Sequence, residues 1–107
     1  MAKHKKTYPP VREDFHIETG YTRGAYNNPC TEVRQAIYRM ARAEAILLDP
    51  CYTGKAFAGL IDMVAEGKIK KGEKVIFLHT GGFPGLYTKH HRVEFEKELL
   101  DGVRIIK

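Results

Sequence analysis

Apolar and polar positions alternate along this chain with two different periods. From about Cys30 to Ala45, Val33, Ala36, Ile37, Met40 and Ala41 recur at helical spacing, while Arg34, Gln35, Tyr38, Arg39 and Arg42 fall mainly on the other side. Met40 reads as core filler. A short unbroken run, Ile46-Leu47-Leu48, follows and stops at Asp49-Pro50, where proline removes a ladder donor and biases its predecessor to an extended conformation. Thr53-Gly54 then opens a second helix with Thr53 as N-cap, and Ala56, Phe57, Leu60, Ile61 and Val64 form its apolar side. Gly67 ends it, a basic connector follows, and Val75-Ile76-Phe77-Leu78 is a second apolar run before His79-Thr80-Gly81-Gly82.

This order predicts an α/β chain, αβαβ, whose two strands are parallel because a helix connects them. Parallel strands are buried on both faces, and two helices give partial cover only, so the unit is expected to need more sheet from a partner or from upstream residues. Ligands of parallel sheets collect at the carboxyl ends of the strands. Here those ends carry Asp49 to Gly54 and His79 to Gly82. The competing reading is that these are ordinary turn residues.

The flanks are less regular. Tyr8-Pro9-Pro10 breaks any helix, and Phe15 with Ile17 suggests a short extended piece. The stretch from Gly20 to Pro29 is loop by composition, and its Tyr21 and Tyr26 either line a pocket or cover an edge of the core. Beyond the Phe83-Pro84-Gly85 turn, residues 91–100 read as a charged helix, and Val103 to Ile106 as a further strand.

Composition narrows the function classes. The 107 residues are 43% hydrophobic and 29% charged, which suits one small globular domain or part of a larger one. No apolar run approaches the roughly 20 residues of a membrane span. The start is charged with no apolar segment behind it, so the expectation is a soluble cytoplasmic protein with no membrane partner. The net charge of +5 lies mainly in Lys3, Lys5 and Lys6 and in the connector lysines 68, 70, 71 and 74. No aromatics interleave with them, so a solvated tail and connector are expected rather than a nucleic-acid partner. Cys30 and Cys51 lack zinc spacing and read as free thiols, and no metal is expected.

Several motifs bear on chemistry. Asp49 to Ala56 follows a strand like a Walker A loop, but Asp49 stands where its first glycine belongs and Ala56 where its magnesium ligand belongs. Gly81-Gly82-Phe83-Pro84-Gly85 is a poor phosphate cradle because proline interrupts the helix start. His90 and His91 read as exposed, and His79 as a packed residue. A Cys51–His79 nucleophile pair is conceivable but has no third orienting group. Tyr52 is the most suggestive residue: a phenol acts as acid or base only where loss of its proton is stabilised. Its alternative is packing under its own turn.

Two long segments carry a resemblance. Ile46 to Ala56, with Gly59-Leu60-Ile61, and then Phe77 to Leu86 resemble the C-terminal part of the D-cysteine desulfhydrase and 1-aminocyclopropane-1-carboxylate deaminase family. Gly24-Ala25-Tyr26-Asn27-Asn28-Pro29 stands in place of that family's Gly-Tyr-x-x-Pro segment. The match covers about residues 13–88, leaving 1–12 as a basic tail and 89–107 as a charged extension without counterpart. The resemblance implies an incomplete αβαβ fragment of a parallel-sheet enzyme fold (tryptophan synthase β-like, fold type II) that uses pyridoxal 5′-phosphate (PLP).

By resemblance, Tyr52 is the tyrosine beside the PLP ring, with an acid/base or nucleophilic role, and Tyr26 a second active-site tyrosine. Thr53, Thr80 and Gly81 become cofactor-binding positions, Thr80 near the pyridine nitrogen. Thr53 replaces the glutamate of the carboxylate deaminases and Thr80 their leucine. Both point to the desulfhydrase branch: elimination from D-cysteine to pyruvate, hydrogen sulfide and ammonia. The Schiff-base lysine and the phosphate loop lie in a segment with no match here, and Lys55 does not correspond to that lysine. Cys51 replaces a usual valine, and Arg23-Gly24-Ala25 departs from Gly-Pro-Gly. The implied partners are an amino-acid substrate and an N-terminal partner chain or a second copy, with this chain inactive alone. The alternatives are deaminase-like activity with a partner chain, or a non-catalytic binding remnant.

Overall fold

The computed structural model describes residues 16–101. Helix α1 spans Thr31–Glu44, α2 spans Thr53–Ala65, a 3₁₀ turn covers Phe83–Tyr87, and α3 spans Lys89–Leu99. Among the described residues there is no strand and no sheet. The αβαβ parallel-sheet expectation is therefore corrected: residues 46–48 and 75–78 are connections between helices. The expected strand at 103–106 and the tail at 1–12 lie outside the described residues, as does Phe15; Ile17 has no regular structure.

The reason is visible in where the backbone groups go. A ladder needs each strand's N–H and C=O groups to meet a neighbouring backbone. Here the carbonyl of Leu47 meets the His79 ring, Nε2 to O 2.8 Å, and the N–H of Asp49 donates to the Thr53 hydroxyl at 2.8 Å. Side chains thus take the groups that pairing would use. Two short segments also bury too little apolar surface to hold a ladder alone. Leu48 is fully buried, but Ile76 is 96% exposed and Leu78 76%.

The core forms where α1 meets α2. Val33, Ala36 and Ile37 of α1 pack with Leu48 and with Ala58 of α2, and Met40, Phe57, Ile61, Phe77 and Phe95 close around them. Phe57 and Phe77 meet edge to face, centroids 5.6 Å apart. The close approach needs Gly54: a Cβ there would lie 2.5 Å from the Asp49 carbonyl oxygen and 2.9 Å from Ile37 Cγ1. The α2 face toward the core is therefore narrower than its periodicity suggests. Ala56 and Val64 stay exposed, and Leu60 turns toward a cleft. Helix α2 ends as its glycine foretells: Gly67 has φ +79°, and the N–H of Lys68 reaches the Met63 carbonyl at 2.9 Å.

Helix α3 changes the reading of α1. Part of the side expected to be polar is covered: Arg34 and Tyr38 are buried, while Gln35, Arg39 and Arg42 stay exposed. Arg34 pairs with Glu98 and donates to Thr31 Oγ1 at 3.1 Å, while Tyr38 meets Phe95 edge to face with centroids 5.9 Å apart. His91 was expected to be exposed; it is 1% exposed.

Candidate functional site

The start of α2 is built on one carboxylate. A helix N-terminus leaves its first N–H groups unpaired. Asp49 supplies their acceptor: Oδ2 takes the N–H of Cys51 (2.8 Å) and of Tyr52 (2.7 Å), and Oδ1 takes the N–H of Thr53 (2.8 Å) and its hydroxyl (2.6 Å). Burial by itself would raise the Asp49 pKa, but the Thr53 hydroxyl and the backbone N–H groups outweigh it and hold the pKa below the usual carboxylate value. The N-cap position is Tyr52 and not Thr53, which is the first helical residue, and the Asp49 carboxylate organises the turn that leads into it. A carboxylate four residues before a threonine at a helix start was the available signal. Gly82 is part of the same construction: at φ +97°, its Cβ would lie 2.6 Å from Asp49 Cγ.

This turn directs Tyr52 outward, 57% exposed, toward Tyr26, which is 75% exposed on the 20–29 loop. Their hydroxyls share a hydrogen bond at 2.9 Å, and the rings meet edge to face with centroids 6.1 Å apart. The bond to Tyr52, and then the Cys51 thiol beside it, push the Tyr26 pKa up to about 12. Tyr26 therefore keeps its proton and can donate a hydrogen bond to Tyr52 Oη. The loop is held from α2 at two points: Arg23 pairs with Asp62, and Lys55 Nζ donates to the Ala25 carbonyl at 3.0 Å.

Beside the pair lies a cleft of about 530 Å³, walled by Tyr21, Cys51, Tyr52, Lys55, Leu60 and Thr80 among others. The residues singled out in the sequence fall into two groups. Tyr52, Thr53 and Thr80 line the cleft, with Tyr26 bonded to Tyr52 at its rim, but only Tyr52 and Thr80 keep a hydroxyl that Asp49 does not take. Thr53 is 2% exposed and its hydroxyl is committed to Asp49. Gly81, at φ +92°, gives its N–H to His79 Nδ1 at 3.0 Å. Both His79 nitrogens are thereby engaged, which leaves no base for a Cys51–His79 pair.

Asp49 and His91 are the residues that sequence reasoning passed over. His91 Nε2 bonds Asn27 Oδ1 at 2.8 Å, next to Tyr26. Both cysteines are free, and no group of potential metal ligands occurs among the described residues. No helix among them is long and apolar enough to cross a membrane. No known protein-family model matches the chain.

Proposed function

We propose that this chain supplies one wall of the active site of a PLP-dependent lyase of the D-cysteine desulfhydrase type. The observation that carries this reading is the Tyr26–Tyr52 hydroxyl pair at 2.9 Å, beside a cleft that Thr80 also lines. The order and spacing of the motifs around both tyrosines support it independently.

The residues present fit the ring end of PLP and not its anchors. Thr80 would offer a hydroxyl to the pyridine nitrogen and Tyr52 would flank the ring, since both line the cleft. The one lysine on the cleft wall, Lys55, is tied to the Ala25 carbonyl. The Schiff-base lysine and the phosphate grip must come from a further segment or chain. When bound, PLP supplies the electron sink for charge developing at the substrate's α-carbon. Tyr52 Oη holds the proton that the departing sulfur needs, and Tyr26 stabilises the oxygen left behind. Threonine at 53, in place of the glutamate of the deaminases that the chain resembles, favours the desulfhydrase branch.

A complementation assay tests the proposal. The full chain is combined with PLP and an N-terminal fragment of a D-cysteine desulfhydrase cut before its own Asp-Pro turn. Pyruvate and sulfide should form from D-cysteine only when both are present. Tyr52→Phe should lower the rate by about 100-fold or more, the usual size of a lost acid–base group. Absence of PLP binding and of pyruvate in the mixture refutes the reading.

A further inference from the structure

His91 sits in the first turn of α3, with its backbone N–H on the Thr88 carbonyl at 3.1 Å. Its ring is enclosed, and only one nitrogen has a partner among the described residues: Nε2 meets Asn27 Oδ1 at 2.8 Å, while Nδ1 has none. An amide oxygen only accepts, so Nε2 carries the hydrogen and Nδ1 a bare lone pair. A buried polar atom without a partner costs on the order of 1–3 kcal/mol, so among the described residues the bond to Asn27 is what offsets enclosing the ring.

The Asn27 end explains what the contact accomplishes. Asn27 holds a left-handed backbone conformation, φ +54°, in a loop that also has positive φ at Arg23 (+58°) and Gly24 (+91°). Such a loop has little regular hydrogen bonding to define it; one backbone bond, Asn28 N–H to the Ala25 carbonyl at 3.4 Å, closes its turn. Its tethers are side chains. Arg23 and Lys55 fix it from the α2 side, and His91 fixes it from α3, at the residue next to Tyr26.

We propose that His91 is a positioning residue for Tyr26: its bond to the Asn27 side chain anchors the 20–29 loop so that the Tyr26 hydroxyl meets Tyr52. Its consequence for catalysis rests on the function proposed above; the geometry it sets does not.

A pH dependence follows from the surroundings. The ring faces His90 on its own helix (centroids 4.2 Å apart), Arg34 from α1 and Asp49 from the turn before α2. A second proton would sit on Nδ1 with no acceptor and beside two groups that are or become cationic, with Asp49 opposing them in part. Burial, and then His90, accordingly lower the His91 pKa. Acid should therefore loosen the anchor.

Nuclear Overhauser contacts between the Tyr26 and Tyr52 rings, measured on the full chain with labelled tyrosine and no PLP, read the geometry directly. At neutral pH the contact should be present. In Asn27→Gly it should vanish while the Phe57–Phe77 ring contact persists, because glycine keeps the left-handed backbone and removes only the amide. His91→Leu should also lose it; if that variant fails to fold, Asn27→Gly decides alone. Because the His91 pKa is lowered, acid should weaken the wild-type contact only below the ordinary histidine value of 6.5. Persistence of the tyrosine contact in Asn27→Gly overturns the proposal. A failed complementation assay with these contacts behaving as stated removes the lyase function and leaves the anchor standing.

Discussion

Asp49→Asn is the substitution whose effect the structure defines most sharply, because it changes charge and hydrogen-bonding sense at almost constant volume. The carboxylate accepts four hydrogen bonds, two at each oxygen. An asparagine side chain has one oxygen. With its NH₂ at the Oδ2 position, it faces the N–H groups of Cys51 and Tyr52. With its NH₂ at Oδ1, it faces the N–H of Thr53 and forces the Thr53 hydroxyl to turn. Either way two bonds to a charged acceptor are lost, at about 1.5–3 kcal/mol each. Relief of the buried charge and water reaching the half-buried Cys51 and Tyr52 amides offset part of that loss. The net destabilisation should be about 2–4 kcal/mol, a large share of the roughly 5–15 kcal/mol usual for a domain.

Urea unfolding followed by far-UV circular dichroism measures this change. With an m-value near the low end for small proteins, about 1–1.5 kcal/mol/M, the midpoint should fall by about 2 M. Acid supplies a second axis. The folded pKa of Asp49 is depressed below its unfolded value near 3.8, so its contribution is present above about pH 4 and is lost as pH falls through the folded pKa. The Asn variant should lack that acid-dependent component. A stability change under about 0.5 kcal/mol, the size of an ordinary surface substitution, would refute the assignment of Asp49 as the acceptor that holds this turn.

Other substitutions test neighbouring parts of the same construction. Gly54→Ala places a methyl 2.5 Å from the Asp49 carbonyl and 2.9 Å from Ile37 Cγ1, and should cost about 2–4 kcal/mol in thermal or urea unfolding. Gly82→Ala pays about 1–2 kcal/mol for its left-handed backbone and also displaces the Asp49 carboxylate. In the Asp49→Asn background its cost should be smaller than in the wild type, measured as a double-mutant cycle. Tyr52→Phe removes the hydroxyl that pushes the Tyr26 pKa up to about 12, so the Tyr26 ring-carbon resonance should titrate closer to the ordinary value near 10.

How far the sequence could be read depended on whether each feature is made locally. Helix α1 was legible because its bonds join residues four apart and its apolar spacing repeats within the element. The end of α2 was legible for the same reason, since Gly67 is the residue that adopts φ +79° at least cost. The spacing also placed Tyr52 in the turn before α2 and Tyr26 in a loop rich in turn residues. The runs at 46–48 and 75–78 misled because apolar content describes a strand's burial, whereas its existence depends on a backbone partner elsewhere in the chain.

The sequence by itself determined the helices, the turn that launches α2 and the residue types available near it. Tertiary structure decided which of those residues have free groups. Thr53 and Gly81 look alike to Tyr52 and Thr80 on paper, but Asp49 and His79 consume their hydrogen-bonding capacity. It also decided that α3 covers Arg34 and Tyr38 and that His91 of α3 is itself enclosed, because burial depends on what packs over a face and not on the face's own pattern. The meeting of Tyr26 with Tyr52 belongs to that level too. Residues 26 positions apart reach 2.9 Å only through a loop tethered from both α2 and α3, and no local periodicity encodes such tethers.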